Sequence, residues 1–205
     1  MKTFEKSIPP NGQPVPIQAK GLEGVIALET QICHIDGQKG ELVYAGYDIQ
    51  DLAEHASFEE VAFLLWNARL PTADETTRLG LRLSSERTLP PMVLDILRMT
   101  PEDADPMAAL RTGVSVLSLF DGEADDASVE ANYRKAIRLT GRIPVIIAAF
   151  DRLRKGLEIV APLPHGTTAH NFLYMLSGEE PGTVAEKIFD ACLVLHAEHG
   201  LNAST

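Results

Sequence analysis

The stretch LHAEHGLNAST, residues 195–205, carries two histidines three residues apart at a predicted helix end. Apolar residues recur at helical spacing before it, at Ile188, Ala191, Cys192 and Leu195, which predicts a buried stripe. His199 continues this stripe, and Gly200 suits the left-handed position just past a helix. Asn202 or Ser204 can then cap a new helix. We therefore expect the His199 ring to face a corner beside free N–H groups, where it can donate a hydrogen bond to a carboxylate or carbonyl.

Other interpretations of the histidines stay open at this point. A histidine near a helix C-terminus more often compensates the helix dipole or is a satisfied core residue. His196, four residues after Cys192, lies at the edge of the predicted stripe. A metal site is disfavoured, because HAEH differs from the HExxH arrangement and implies no third ligand. His165 and His170 fall in a predicted loop and are expected at the surface.

Length, composition and charge restrict the class of protein. A chain of 205 residues, 45% of them apolar, can bury a core as one domain. The net charge of −11 argues against a nucleic-acid partner, because phosphate binding needs clustered cations. The longest apolar run, residues 143–150, is too short to span a membrane. Residues 1–20 are interpreted as an extended tail rather than an export signal. Cys33 and Cys192 are too few for a disulfide framework, so we expect a cytoplasmic protein.

The pattern along the chain predicts about eight helices and one small β-ribbon. The ribbon is expected around the DGQKG turn at 36–40, and capping boxes open helices at 57–60 and 72–75. The apolar helix at 105–120 is expected to be buried on more than one side. A long helix after Ser128 is expected to break near Gly141 and Pro144. The fold class is therefore mainly α.

Acidic residues are interpreted as solvated rather than functional. The stretch DGEADD at 121–126 is expected to form a solvated loop. The adjacent pairs Glu59/Glu60 and Asp125/Asp126 are expected to diverge on a helix or to project into solvent. None of these carboxylates is predicted to act as an acid or base.

The stretch at 195–205 closely resembles the HADHxxNAST motif of citrate synthases. Four further segments are similar to that family in the same order: residues 21–53, 58–75, 105–117 and 171–181. The resemblance implies a multi-helical large domain, incomplete here, with a small N-terminal β-ribbon. Two departures are Ala45, where many members have arginine, and the HGTTAH loop at 165–170. Neither is expected to touch the chemistry.

The resemblance also implies a function. The family forms homodimers that condense oxaloacetate with acetyl-CoA, which is a substrate, so no separate cofactor is expected. His199 matches the histidine that binds oxaloacetate, with His196 and Asn202 in supporting roles. The catalytic histidines of the GPxHGxAN and GxGHxxY motifs, the general-base aspartate and the substrate-binding arginines follow the NAST motif in the family, so no catalytic residue is expected up to Thr205.

Residues 21–205 are thus expected to be the N-terminal portion of the large domain, without the small catalytic domain, and inactive alone. An incomplete chain is the preferred explanation, and a naturally split enzyme is the alternative. A 2-methylcitrate synthase, which uses propionyl-CoA, and a non-catalytic dimerising paralogue are the alternative functions. Neither a nucleic acid nor a membrane is an expected partner.

Overall fold

The computed structural model describes residues 30–198 and 200, and the predicted tail at 1–20 lies outside this range. Within it, a three-stranded sheet is followed by eight α-helices, so the mainly α class is confirmed. The strands are β1 (Cys33–Asp36), β2 (Glu41–Tyr44) and β3 (Tyr47–Asp48). The helices are α1 (Ile49–His55), α2 (Phe58–Asn67), α3 (Ala73–Ser85), α4 (Pro91–Met99), α5 (Pro106–Leu117), α6 (Val129–Arg154), α7 (Thr168–Ser177) and α8 (Thr183–Leu195), with a 3-10 turn at Ser118–Phe120.

The predicted ribbon is an antiparallel sheet in the order β1-β2-β3. Asp36 closes the first turn by accepting the N–H groups of Gln38 and Lys39. Cys33 pairs with Tyr44 at the other end of this hairpin. The sheet therefore places the buried Tyr44 ring against the helices, where it meets Leu52, Val61, Leu64 and Val194.

Helix starts follow the predicted caps. Ser57 accepts the N–H of Glu60 and the Glu60 carboxylate accepts the N–H of Ser57, a complete capping box. Thr72 and Glu75 form a second one at α3. Each box satisfies backbone donors that have no partner inside the helix.

Helix α6 is continuous, and the predicted break near Gly141 and Pro144 is wrong. Proline in a helix interior costs about 3 kcal/mol, but α6 packs against α3, α4, α5 and α7, and this burial outweighs the lost hydrogen bond. Gly141 lets α3 approach closely, because a Cβ there would lie 2.8 Å from the Leu83 carbonyl oxygen. The main core surrounds α6 and includes Val93, Leu97, Leu117, Ile146 and Met175.

Two further expectations need correction. Helix α5 buries one face, through Ala109, Gly113 and Leu117, while Met107 is 66% exposed. The small residues on that face allow a close crossing with α6 rather than burial on several sides. The acidic loop is not simply solvated, because Asp121 and Glu123 both bind the Arg138 guanidinium of α6, at 2.9 and 2.8 Å.

Candidate functional site

Helix α8 leads to the predicted site, but its buried face differs from the prediction. Val194 is fully buried, whereas Ile188 is 61% and Leu195 is 44% exposed and Cys192 is also exposed. The prediction that the stripe through Ile188, Cys192 and Leu195 is buried is therefore wrong. Two contacts set the rotation of α8: the Phe189 ring stacks on Phe172 at 5.0 Å, and Asp190 binds the start of α2.

The corner after α8 begins at His196, which caps the helix. Its backbone N–H and its ring Nδ1 both reach the Cys192 carbonyl oxygen, at 3.2 and 2.7 Å. The ring is otherwise exposed. His196 thus satisfies an orphan carbonyl of the last turn.

The candidate ligand residue His199, and with it Asn202, lies outside the described residues. Gly200 has a φ of +80°, so its predicted left-handed conformation is confirmed. The helix nevertheless ends at Leu195, so Gly200 does not occupy the position directly after the cap. The Gly200 N–H binds the Glu198 carboxylate.

Tyr44 ties this corner to the sheet. Its hydroxyl donates to the Glu198 carbonyl oxygen at 2.9 Å or the Leu195 carbonyl oxygen at 3.2 Å, and it accepts the Glu198 N–H at 3.2 Å. The Tyr44 side chain is 0% exposed. Burial, with the charge of Glu198, also raises the pKa of Tyr44 and that of the neighbouring Cys33 thiol. The corner is therefore held by a buried, neutral phenol.

Asp190 holds α8 against the N-terminus of α2. Both carboxylate oxygens accept the Phe58 N–H, at 3.2 and 3.3 Å. Burial raises the pKa of Asp190 to about 6, and the charges of Glu59, Glu186 and Glu60 add to the increase. At neutral pH Asp190 is still mostly charged, but burial makes its charged form less favourable than it would be in water.

Two buried charges were missed in the sequence. Glu59, whose pair with Glu60 was expected to diverge on a helix or to project into solvent, is only 5% exposed and accepts the Thr168 N–H at 2.7 Å. Arg87 is equally buried and donates to the carbonyl oxygens of His165 and Gly166 at 2.9 and 2.8 Å. Burial lowers the pKa of Arg87, and Glu59 opposes this shift. Together they fix the proline-rich loop before α7.

His170 also departs from the prediction of a surface loop. It lies in α7, and its ring nitrogens meet Glu186 at 3.0 Å and Glu180 at 2.7 Å. Burial opposes protonation, but hydrogen bonds to Glu186 and Glu180 outweigh it and raise the pKa of His170. The spacing from 170 to 180 and 186 gives no helical signal, so only the packing of α7 on α8 reveals this group.

Within residues 30–198, no three histidine, cysteine, aspartate or glutamate side chains gather in a way that could hold a metal ion. No helix in the same range is long and apolar enough to cross a membrane.

Comparison with known proteins assigns the fold and the corner to a family. A family model described as the citrate synthase C-terminal domain matches residues 21–205. The chain belongs to the citrate synthase family. It is 50% identical over 190 residues to the citrate synthase of Haloferax volcanii and 48% identical over 187 residues to citrate synthase 2 of Bacillus subtilis, covering 91% of this chain and 50% of each relative.

Solved structures agree with this assignment. The citrate synthase of Pyrobaculum aerophilum superimposes with a TM-score of 0.85 at 34% identity, over 100% of this chain and 53% of that one. A ternary complex of Thermoplasma acidophilum citrate synthase with carboxymethyl coenzyme A and oxaloacetate gives a TM-score of 0.85 at 26% identity, over 90% of this chain and 49% of that one. The chain thus spans about half the length of these citrate synthases.

Proposed function

We propose that this chain is the oxaloacetate-binding half of an enzyme that condenses oxaloacetate with acetyl-CoA to give citrate and CoA. The motif at 195–205 carries the proposal, because it occurs in a chain 50% identical to a citrate synthase. In this account the His199 ring donates a hydrogen bond to the keto acid, and Asn202 organises the turn that follows. His196 supports the corner by capping α8.

The chemistry requires more than this half. Removing a proton from the thioester methyl needs a positioned base, and the developing enolate oxygen needs a donor. The two carboxylates of oxaloacetate also call for several cations. We propose that a second half of a longer protein supplies these groups, and that the 205-residue chain alone does not turn over.

A CoA-release assay with acetyl-CoA and oxaloacetate tests this division of roles. The purified 205-residue chain is expected to match its own His199→Ala variant at background. The longer protein that contains the chain is expected to be active and to lose most of that activity in the same variant. Turnover by the short chain well above its variant would overturn the proposal. Sequencing the reading frame beyond Thr205 is the complementary check, and a GPxHGxAN stretch is expected there.

A 2-methylcitrate synthase is the second candidate. The chain is 41% identical over 186 residues to the 2-methylcitrate synthase of Mycobacterium tuberculosis, against 50% to the citrate synthase of Haloferax volcanii. We favour acetyl-CoA over propionyl-CoA on this difference. Measuring kcat/KM of the longer protein for both thioesters decides between them, and a preference for propionyl-CoA would reverse the assignment.

Homodimer formation is also proposed. Apolar side chains stay uncovered on α8 and α5, including Val184 at 69%, Ile188 at 61% and Met107 at 66% exposure, and burying such surface favours association. A non-catalytic dimerising paralogue would use the same faces. Light scattering of the longer protein together with the CoA-release assay distinguishes an active homodimer from such a paralogue, because a paralogue would dimerise without turnover.

A cytoplasmic location is also part of the proposal, and the free thiols of Cys33 and Cys192 support it.

A further inference from the structure

His170 stands between two carboxylates where α7 meets α8. Its ring Nδ1 lies 3.0 Å from the carboxylate of Glu186, in the first turn of α8. Its ring Nε2 lies 2.7 Å from the carboxylate of Glu180, in the connection between the two helices. The His170 side chain is only 18% exposed. One ring thus ties α7 both to the start of α8 and to the connection before it, and we call these three residues the His170 cluster.

The two contacts of this ring together require that it be protonated. A carboxylate only accepts hydrogen bonds, whereas a neutral imidazole has one N–H donor and one acceptor nitrogen. In a neutral His170, one ring nitrogen would therefore face a carboxylate oxygen with no proton between them. An imidazolium has two N–H donors and satisfies both carboxylates. The geometry of the His170 cluster thus fits the charged ring alone.

The charges next to the ring favour the same state. Burial favours neutral His170, but hydrogen bonds to Glu186 and Glu180 and the charges of both carboxylates outweigh it, so the pKa of His170 is raised above its ordinary value of 6.5. Since this value lies close to neutral pH, a modest rise in pH is enough to remove the proton.

Charged groups on the other elements that pack on α7 have partners of their own. Helix α2 brings Glu59, whose carboxylate accepts an N–H at the start of α7. Helix α6 brings Arg152, which donates to a carbonyl oxygen in the last turn of α7. One turn further along α8, Asp190 binds the start of α2. The titratable residues of the adjoining loops and of α8 next to the cluster are exposed, namely His165, Glu179 and Lys187.

Loss of the proton is expected to release Glu180 rather than Glu186. The Glu186 side chain is 27% exposed and also accepts the Thr167 hydroxyl at 2.7 Å, whereas the Glu180 side chain is 64% exposed. A neutral ring keeps one N–H, which stays with the more buried partner, and water can replace the ring beside Glu180. We propose that His170 is a pH-sensitive latch, which holds the α7–α8 connection against α7 while the ring is protonated and frees this connection at alkaline pH. This proposal does not depend on the role assigned to His199.

An NMR titration of the histidine rings in the 205-residue chain tests the charge state. The His170 signal is assigned by its absence from His170→Gln, and its pKa is expected to lie above 6.5. Glu180→Gln removes one of the two carboxylates and is expected to lower the His170 pKa. The matched control is Glu179→Gln, which removes the same charge from the adjacent exposed residue and is expected to change the His170 pKa much less.

Amide hydrogen exchange tests the release of the connection. Below the measured His170 pKa, residues 178–186 of the wild type are expected to exchange about two- to fivefold more slowly than those of Glu180→Gln. Above that pKa the two chains are expected to exchange alike, and comparing them at the same pH removes the intrinsic pH dependence of exchange. Circular dichroism checks that each variant is folded.

Three results would overturn the latch. The His170 pKa could lie at or below 6.5, which would mean that the two carboxylates do not hold the proton. Glu179→Gln and Glu180→Gln could lower that pKa equally, which would reduce the contact with Glu180 to general charge. The wild type and Glu180→Gln could also exchange alike at both pH values, which would show that the connection is not held by the ring.

Discussion

The Tyr44 hydroxyl donates to the Glu198 carbonyl oxygen at 2.9 Å across 154 residues of chain. This bond joins the small sheet to the residue directly before His199. Since the phenol is fully buried, water cannot readily replace it as a partner for the Glu198 backbone. The ribbon at the start of the described chain thus supports the corner at its other end.

Replacing Tyr44 by phenylalanine tests this support. Tyr44→Phe keeps the buried ring but leaves the Glu198 N–H and carbonyl without their partner, which we expect to cost roughly 1–2 kcal/mol of unfolding free energy. Urea denaturation of the 205-residue chain measures the loss. Tyr47→Phe is the control, because Tyr47 is 40% exposed and its hydroxyl bonds to no residue in the described range. Equal stability of the two variants would show that the bond to Glu198 contributes nothing.

Asp190 should make stability depend on pH. Its native pKa of about 6 exceeds the ordinary 3.8, so the native state holds the proton longer than the unfolded chain. Below about pH 4 the carboxyl is protonated in both states, so it does not lower the free energy of unfolding. Between about pH 4 and 6 the free energy of unfolding falls as the pH rises, and above about pH 6 this loss stays constant.

Asp190→Asn should remove this penalty while its amide oxygen still accepts the Phe58 N–H. At about pH 8 we expect the variant to be more stable than the wild type by roughly 1–2 kcal/mol, a value reduced because Asp190 is only partly buried. Near pH 4 we expect the two proteins to be equally stable. Denaturation at the two pH values is the measurement. A variant that is destabilised at the higher pH would show that the native charge is favourable.

Replacing glycine by alanine is expected to have opposite effects on stability at Gly141 and at Gly80. A Cβ on Gly141 would lie 2.8 Å from the Leu83 carbonyl oxygen and 3.0 Å from Glu86 Cβ, whereas one on Gly80 meets nothing within 4 Å. Gly141→Ala should therefore destabilise the chain by about 1–3 kcal/mol, despite the better helix propensity of alanine. Gly80→Ala should stabilise it by about 0.5–1 kcal/mol. Thermal melting compares them, and a stabilising Gly141→Ala would mean that α3 and α6 cross less closely.

Local signals in the sequence predicted the local parts of the fold. Capping at Ser57 and Thr72 depends on residues three apart, and both boxes were predicted. The rotation of α8 depends on its contacts with Phe172 and Phe58, which are distant in sequence, so the exposure of Ile188 was predicted wrongly. The continuity of α6 through Pro144 likewise reflects packing against four helices, which no window of sequence contains.

In the candidate site, too, features set by local sequence were predicted, whereas features set by contacts between distant residues were not. The left-handed Gly200 follows from a single residue type and was predicted. Glu59 and Arg87 look like ordinary surface charges, because their partners are backbone groups at 163–168. His170 was assigned to the surface because Glu180 and Glu186 approach it only once α7 and α8 pack together.

The most direct test of the central claim is a calorimetric titration of oxaloacetate into the longer protein that we propose contains this chain. His199→Ala removes one hydrogen bond to a charged ligand, worth about 1.5–3 kcal/mol, so we predict an affinity loss of roughly 10- to 100-fold. His196→Ala, which removes only the bond to the Cys192 carbonyl, should change the affinity much less. An affinity of His199→Ala within about twofold of wild type would contradict the account, because the motif would then not hold the keto acid.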